Sequence, residues 1–173
     1  KRCDLCGFDS FHTIEKSPTH LVICKTCGLI FIQDPPPHQV YQDLYRKRYG
    51  FDVKIPHNSK SIDRKNDGLA RWITSNLQIN RKKLRLLEIG CSAGYLLKIL
   101  ERQEFQVCGV EPCEEAVQFA RDHNRLEHIE NCFFEEAVYP EEFFDSIMLI
   151  QTFEHVLHPT EFLHKIRNLL KSD

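Results

Sequence analysis

The hydrophobic pattern of this chain changes character twice. Residues 1–33 carry three short β-branched and aromatic runs, at 12–14, 21–23 and 29–32, set around two cysteine pairs. Runs this short predict a small β unit with little core. From 38 to 49, Val40, Tyr41, Leu44, Tyr45 and Tyr49 recur at helical spacing, and from 59 to 77, Ile62, Leu69, Trp72, Ile73 and Leu77 predict a second helix. Asp34-Pro35-Pro36-Pro37 lies ahead of both. Successive prolines fix φ and remove amide donors, so a stiff extended connector and a domain boundary are expected there. Residues 50–58 read as a loop, with Ile55-Pro56 non-helical.

From Leu84 the pattern alternates. An apolar run at 84–89 ends on Gly90, a helix is expected at 95–102 and a second β-rich run at 105–110. A helix at 114–123 has Ala116, Val117 and Ala120 on one face; then come a weaker strand at 128–134 and a clear one at 146–150. An amphipathic helix at 160–170 follows, using Phe162, Leu163, Ile166, Leu169 and Leu170. This rhythm predicts an α/β fold, a parallel sheet with flanking helices. Three parts are therefore expected: a small module at 1–33, a linker and helical cap at 34–80, and the α/β domain at 81–173. The chain starts at Lys1 and stops at Asp173, just after the helix that follows the fourth strand. A strand as apolar as 146–150 wants neighbours on both sides. The expectation is a fragment lacking its later strands, or a homodimer in which a second copy covers that edge.

Composition narrows the function classes. The chain has 173 residues, 42% hydrophobic and 28% charged, the balance of a globular protein. With 23 basic against 25 acidic residues and a net charge of −2, no global field draws it to nucleic acid or an anionic membrane. The basic clusters are Arg46-Lys47-Arg48 and Arg81-Lys82-Lys83-x-Arg85, offset by Glu135-Glu136 and Glu141-Glu142. No apolar run approaches the roughly 20 residues that cross a bilayer, and no apolar signal segment opens the chain. No membrane partner is expected. Cys91, Cys108, Cys113 and Cys132 are scattered as reduced thiols are, which points to the cytoplasm.

The other four cysteines are ordered. Cys3-Asp4-Leu5-Cys6 and Cys24-Lys25-Thr26-Cys27 are separated by 17 residues, within the spacing of four-thiolate zinc sites. Gly7 and Gly28, directly after each pair, supply the permissive backbone of such knuckles. Four thiolates leave no open position, so Cys3, Cys6, Cys24 and Cys27 read as ligands of a structural zinc in a ribbon-like module. A disulfide pair or a redox Cys-x-x-Cys is the alternative.

The run Glu88-Ile89-Gly90-Cys91-Ser92-Ala93-Gly94 puts an acidic residue near the end of a strand and glycines four apart where the chain turns into a helix. Such a turn lets backbone pass close to a ligand at a helix N-terminus. Glu111 ends the next strand about 20 residues on, where a carboxylate can take both hydroxyls of a ribose. Pro112 follows, suited to a first helical turn. The bland alternative is a tight turn and a solvated carboxylate.

These residues, with Gly109-Val110-Glu111-Pro112, Phe144-Asp145-Ser146-Ile147 and the stretch from Gln151 to Pro159, resemble the ordered motifs of class I S-adenosylmethionine-dependent methyltransferases. The resemblance covers about residues 84–171 and implies a Rossmann-like domain. Ser92 departs from the Gly-x-Gly-x-x-Gly of nicotinamide enzymes, which favours S-adenosyl-L-methionine over a dinucleotide. It implies that Glu88 and the backbone of Gly90, Cys91, Ser92 and Gly94 hold the methionine portion. Glu111 takes the ribose, with Pro112 beside it; Phe133, Phe134 and Glu135 lie on the adenine side, and Gln151 lines the methyl-transfer site. His155 is the candidate for substrate contact or proton removal, against a packing role. Tyr41, Tyr45 and Tyr49 form either a flap over the cofactor or plain core.

A zinc knuckle ahead of such a domain is similar to methyltransferases of nucleotide-linked sugars and other small metabolites, so a small-molecule acceptor is expected. Two alternatives stand. One is an RNA methyltransferase whose zinc module grips nucleic acid, disfavoured by the narrow basic clusters. The other is a non-catalytic zinc-ribbon interaction module with a degenerate cofactor domain.

Overall fold

Two cysteine turns organise the N-terminal β unit of the computed structural model, which describes residues 2–15, 19–52, 60–77 and 83–172. Strands β1 (Phe11–Thr13), β2 (Leu21–Cys24) and β3 (Ile30–Ile32) form an antiparallel sheet in that order. Phe11 faces Cys24 and Val22 faces Phe31 in register. The Phe11 and Phe31 rings meet edge-on at 5.3 Å. Among its described residues only Cys3, Val22 and Cys24 are buried, whereas Leu5, Phe8 and Ile30 stand in solvent. So few buried residues cannot hold this unit by apolar burial alone.

Helix α1 (His38–Asp52) begins just past the prolines and runs three residues beyond the patterned 38–49. The expected loop at 50–58 is thus helical over its first three residues, and 53–58 lie outside the described residues. Helix α2 (Lys60–Asn76) buries Ala70 and Ile73, with Leu69 and Leu77 packed alongside. Trp72, counted with the apolar face, is instead 65% exposed. At 100° per residue it lies roughly 115° from the centre of the face made by 69, 70, 73 and 77. Bulk alone did not decide which side the helix buries.

The α/β part is built on β4 (Arg85–Ile89), β5 (Gln106–Val110), β6 (Ile129–Glu130) and β7 (Ser146–Leu149), all parallel, in the order β6-β5-β4-β7. Its helices are α3 (Tyr95–Glu101), α4 (Glu114–Asp122) and α5 (Pro159–Leu169). Central β4 sends successive side chains to opposite faces. Leu86 joins a core with Leu97, Leu100, Val117, Ala120 and, from α2, Ala70 and Ile73. Leu87 and Ile89 join a second core with Val110, Phe134, Phe144, Phe162 and Ile166. A strand covered on both faces is expected to read as a continuous apolar run, and 84–89 does except at Arg85, near its start, and Glu88. Since α2, α3 and α4 cover one face and α5 the other, the chain leaves β4 and β7 in opposite directions. Because α2 shares the sheet's core, α1 is, among the described residues of the segment at 34–80, the part that stands over the ends of the strands.

The weak strand expected at 128–134 is reduced to two residues, Ile129 and Glu130. Asn131 ends it by donating its side-chain amide to the carbonyls of Glu111 (3.0 Å) and Pro112 (3.1 Å). Strand β7 lies at the outside of the sheet, with only Met148 buried. Past α5 the chain returns beside Phe144, where Leu170 forms a parallel bridge and the Lys171 amide donates to the Phe144 carbonyl at 3.0 Å. Among the described residues no helix is long and apolar enough to cross a membrane.

Candidate functional site

The carboxyl ends of β4, β5 and β7 open on a cavity of about 410 Å³. Its floor is the turn after β4. The Gly90 amide donates to the Val110 carbonyl at 2.8 Å, tying this turn to the end of β5. Gly90 has φ +75°, and a Cβ there would sit 2.6 Å from the Thr152 hydroxyl. That hydroxyl donates to the Ile89 carbonyl at 3.0 Å, joining the loop after β7 to the end of β4. Glycine is therefore required twice over at 90, by conformation and by the neighbour it admits.

Glu111 forms one wall. It is 7% exposed and accepts hydrogen bonds from the amides of Ser92 (3.0 Å) and Cys113 (2.9 Å). Burial pushes its carboxyl above the usual range, and the Cys113 and Ser92 amides oppose that shift. Glu88 lies behind the floor, 5% exposed, with Oε2 lacking any hydrogen-bond partner. Burial, and secondarily the Glu111 charge, push its carboxyl up to about 8. Two buried carboxylates beside a glycine turn, one unpartnered, make a site short of positive charge.

The turn at 133–137 forms the opposite wall. Phe134 is buried, with its ring 4.8 Å from that of Phe162. Lys165 Nζ donates to the carbonyls of Phe134 (2.7 Å), Glu135 (3.0 Å) and Ala137 (2.6 Å) and lies 4.9 Å from the Phe134 ring centre. An ammonium has three donors, and this turn accepts all three. Burial lowers the Lys165 pKa.

Helix α1 closes the top. Tyr41 and Tyr45 line the cavity, their rings 4.6 Å apart, and the Tyr45 ring lies 5.6 Å from that of His155. Gln42 donates to Glu136 at 3.4 Å and Arg46 pairs with it at 3.6 Å, pinning the helix to the 133–137 turn. The Tyr49 side chain lies outside the described residues. His155 ends a 3₁₀ turn, Phe153–His155, that hangs from Thr152 through the His155 amide.

Of the residues singled out in the sequence, Gly90, Ser92, Glu111, Pro112, Phe133, Phe134, Glu135, Gln151 and His155 line this one cavity with Tyr41 and Tyr45. Glu88, Cys91 and Gly94 do not; all three are buried behind it. Thr152, Glu154 and Val156, which lie in the stretch from Gln151 to Pro159 but received no role there, also line it, as does Phe162. Phe162 was legible only as a core position of an amphipathic helix. No pattern gave Thr152 its own role. Of the basic clusters, Arg85 stacks over Phe143 at 4.4 Å, and Arg81 and Lys82 lie outside the described residues.

The second candidate centre is the cysteine cluster. The sulfurs of Cys3, Cys6, Cys24 and Cys27 all lie within 4.8 Å of one another, with Cys3–Cys27 and Cys6–Cys24 at 3.5 Å. A bonded pair would be at about 2.05 Å. Tetrahedral zinc, with bonds of about 2.3 Å, places its sulfurs about 3.8 Å apart. The two turns are equivalent, with the Gly7 amide on the Cys3 carbonyl (2.8 Å) and the Gly28 amide on that of Cys24 (2.9 Å). The backbone amide of Cys27, helped by that of Thr26, holds the Cys24 thiol down at about 6 against its burial.

A parallel sheet with a glycine turn after its first strand, a carboxylate ending its second and a cavity where the strand order reverses defines a Rossmann-like α/β domain. The profile of the family described as "Methyltransferase domain" matches residues 62–173, and the chain belongs to that family. It is 35% identical over 91 residues to a ubiquinone biosynthesis O-methyltransferase of Bradyrhizobium diazoefficiens, covering 51% of this chain and 36% of the relative. To the protein so named in Glaesserella parasuis it is 28% identical over 98 residues, covering 51% and 42%. The chain thus spans well under half the length of these curated relatives. Among solved structures, the plantazolicin methyltransferase BpumL, in complex with a monoazolic desmethylPZN analog and SAH, superposes with a TM-score of 0.61 at 19% identity, over 76% of this chain and 53% of that one. The PH0226 protein of Pyrococcus horikoshii gives 0.58 at 20%, over 66% and 55%. These likenesses show the fold.

Proposed function

We propose that the chain is the cofactor-binding part of an S-adenosylmethionine-dependent methyltransferase acting on a small-molecule hydroxyl. The observation that carries this reading is Glu111, buried on the cavity wall with its carboxylate aimed by two backbone amides. A carboxylate so fixed can accept both hydroxyls of a ribose without reorganising. When bound, S-adenosylmethionine supplies a methyl group made electrophilic by its sulfonium.

The chain's own residues divide the remaining work. Gly90 and Ser92 bring backbone close to the methionine portion, and Cys91 and Gly94, buried behind them, shape the turn. The unpartnered Glu88 oxygen favours a cationic ligand above it, which matches the chemistry of a sulfonium amino acid. Phe134 and Glu135 flank the adenine, with Pro112 beside the ribose. Gln151 lines the transfer edge, and His155, its ring beside Tyr45, takes the acceptor proton.

The acceptor is read as a small molecule, with a nucleotide-linked sugar as the finer reading, which rests on the resemblance of a cysteine knuckle placed ahead of such a domain. Glu111, Glu135 and Glu154 line the cavity, and no lysine or arginine does among the described residues. Such a wall supports a small acceptor over RNA, whose phosphates need cations. The four-cysteine cluster holds a structural zinc, because thiolates fill every position of the tetrahedron.

Calorimetric titration of the zinc-loaded protein with S-adenosylhomocysteine tests the cofactor reading. Micromolar binding is expected, and no binding to the folded chain overturns it. Methyl transfer by the natural full-length protein to a panel of phenols and nucleotide-linked sugars then decides the acceptor class.

A further inference from the structure

Helix α5 has no cap of its own. Its first residues follow His158, and no side chain near them in sequence accepts from its free amides. An N-terminus of this kind leaves donors that must be met from elsewhere. The partner comes from the other end of the chain. Asp4 Oδ2 accepts from the Thr160 amide at 2.7 Å, and the Asp4 carbonyl accepts from the Thr160 hydroxyl at 2.9 Å, across 156 positions of sequence. Asp4 Oδ1 is also 4.0 Å from His158 Nδ1.

Asp4 sits between Cys3 and Cys6, so its position is set by the first cysteine turn. That turn is closed on both sides, by the Cys3 amide on the Phe8 carbonyl (2.7 Å) and the Gly7 amide on the Cys3 carbonyl (2.8 Å). On the other partner, the first turn of α5 carries Phe162, which lines the cavity and packs on Phe134, and follows directly from His155 and Val156. A carboxylate is well suited to a helix N-terminus by charge as well as by hydrogen bonding.

We propose that Asp4 is a positioning residue, a clasp through which the four-cysteine turn caps α5 and so fixes the Thr152–Phe162 side of the cavity. The inference rests on the readings of the cysteine cluster as a zinc site and of the cavity as the cofactor site. It gives the N-terminal module a role in the active site without requiring it to touch substrate.

The test uses the zinc-loaded chain and its Asp4→Ala, Asp4→Asn and Thr160→Ala variants, with zinc content, amide hydrogen exchange and S-adenosylhomocysteine affinity measured on each. Asp4→Ala is expected to keep its zinc, to exchange the amides of 160–162 at least about tenfold faster with α3 and β4 unchanged, and to bind S-adenosylhomocysteine about fivefold more weakly. Asp4→Asn, which keeps an acceptor oxygen, retains most of the protection. Stripping zinc from the wild type reproduces the exposure of 160–162, and stripping it from Asp4→Ala adds nothing there. Wild-type protection in zinc-loaded Asp4→Ala overturns the proposal. An equal rise on zinc removal in both proteins does so too, since the coupling would then run by another path. Should Asp4→Ala not fold, Thr160→Ala tests the clasp from the helix side, with at least about threefold faster exchange expected and wild-type protection overturning it. If the wild type binds no S-adenosylhomocysteine, the cofactor reading fails while the exchange measurement still decides the clasp.

Discussion

The carboxylate of Glu111 accepts the backbone amide of Ser92 at 3.0 Å, a bond between the end of β5 and the turn after β4. One side chain therefore shapes the glycine turn and presents a charge to the cavity. Glu111→Gln keeps the shape and one acceptor; Glu111→Ala removes both. S-adenosylhomocysteine affinity is expected to fall at least about tenfold in Glu111→Gln, about 1.4 kcal/mol, and further in Glu111→Ala, read by calorimetry.

Gly90 admits the Thr152 hydroxyl at a point where any Cβ would collide with it. Gly90→Ala is expected to lower unfolding free energy by about 1–3 kcal/mol, from the positive φ together with the clash. In urea titrations the Gly90→Ala, Thr152→Ala pair should recover part of that loss. Equal stability of Gly90→Ala and wild type would contradict the geometry.

The raised pKa of Glu88 has a definite sign. Its carboxyl ionises near 4.5 when unfolded and near 8 when folded, so between these values the folded chain holds a proton that the unfolded chain has released. Stability in the absence of ligand should then fall as pH rises from about 4.5 and level off above about 8. Glu88→Gln, which stays neutral, is expected to lose this contribution and to exceed the wild type at pH 8 by an amount on the order of a few kcal/mol. Urea midpoints of both proteins across that range check it.

Lys165 offers every ammonium proton to the turn that carries Phe134. Lys165→Met leaves three carbonyls without their donor, and a loss of about 1–3 kcal/mol in stability is expected, with weaker S-adenosylhomocysteine binding. Lys165→Arg should restore part of both. Unfolding and calorimetry on the three proteins decide it.

What was legible in the sequence is what local chemistry encodes. The cysteine spacing, the glycine turn and the carboxylate ending the second strand each depend on residues a few positions apart or on a fixed βαβ length. The strand and helix order followed from periodicity, with most ends off by a residue or two and α1 running three further. The third strand was read too long because Asn131, whose amide reaches back to Glu111 and Pro112, ends it through contacts invisible to pattern. Trp72 was misplaced because burial follows the face, not the size of one residue. Thr152, Lys165 and Asp4 were silent for the same reason as one another. Each acts on backbone atoms 28 or more positions away, and no spacing rule reaches that far.

The strand order β6-β5-β4-β7 also gives the cavity two sides drawn from different stretches of chain. The Glu111, Ser92 and Glu88 side of the cavity is carried by β4 and β5 with helices on one face of the sheet, whereas Gln151, His155 and Phe162 belong to the chain that continues from β7 into α5 on the other. The two sides meet where β4 pairs with β7, at Gly90 and Thr152, and in the core that Leu87 and Ile89 share with Phe162. On the function proposed above, the side chains facing the acceptor, on α1 and after β7, come from other stretches of chain than Glu111 and Ser92, so substitutions can address acceptor and cofactor separately.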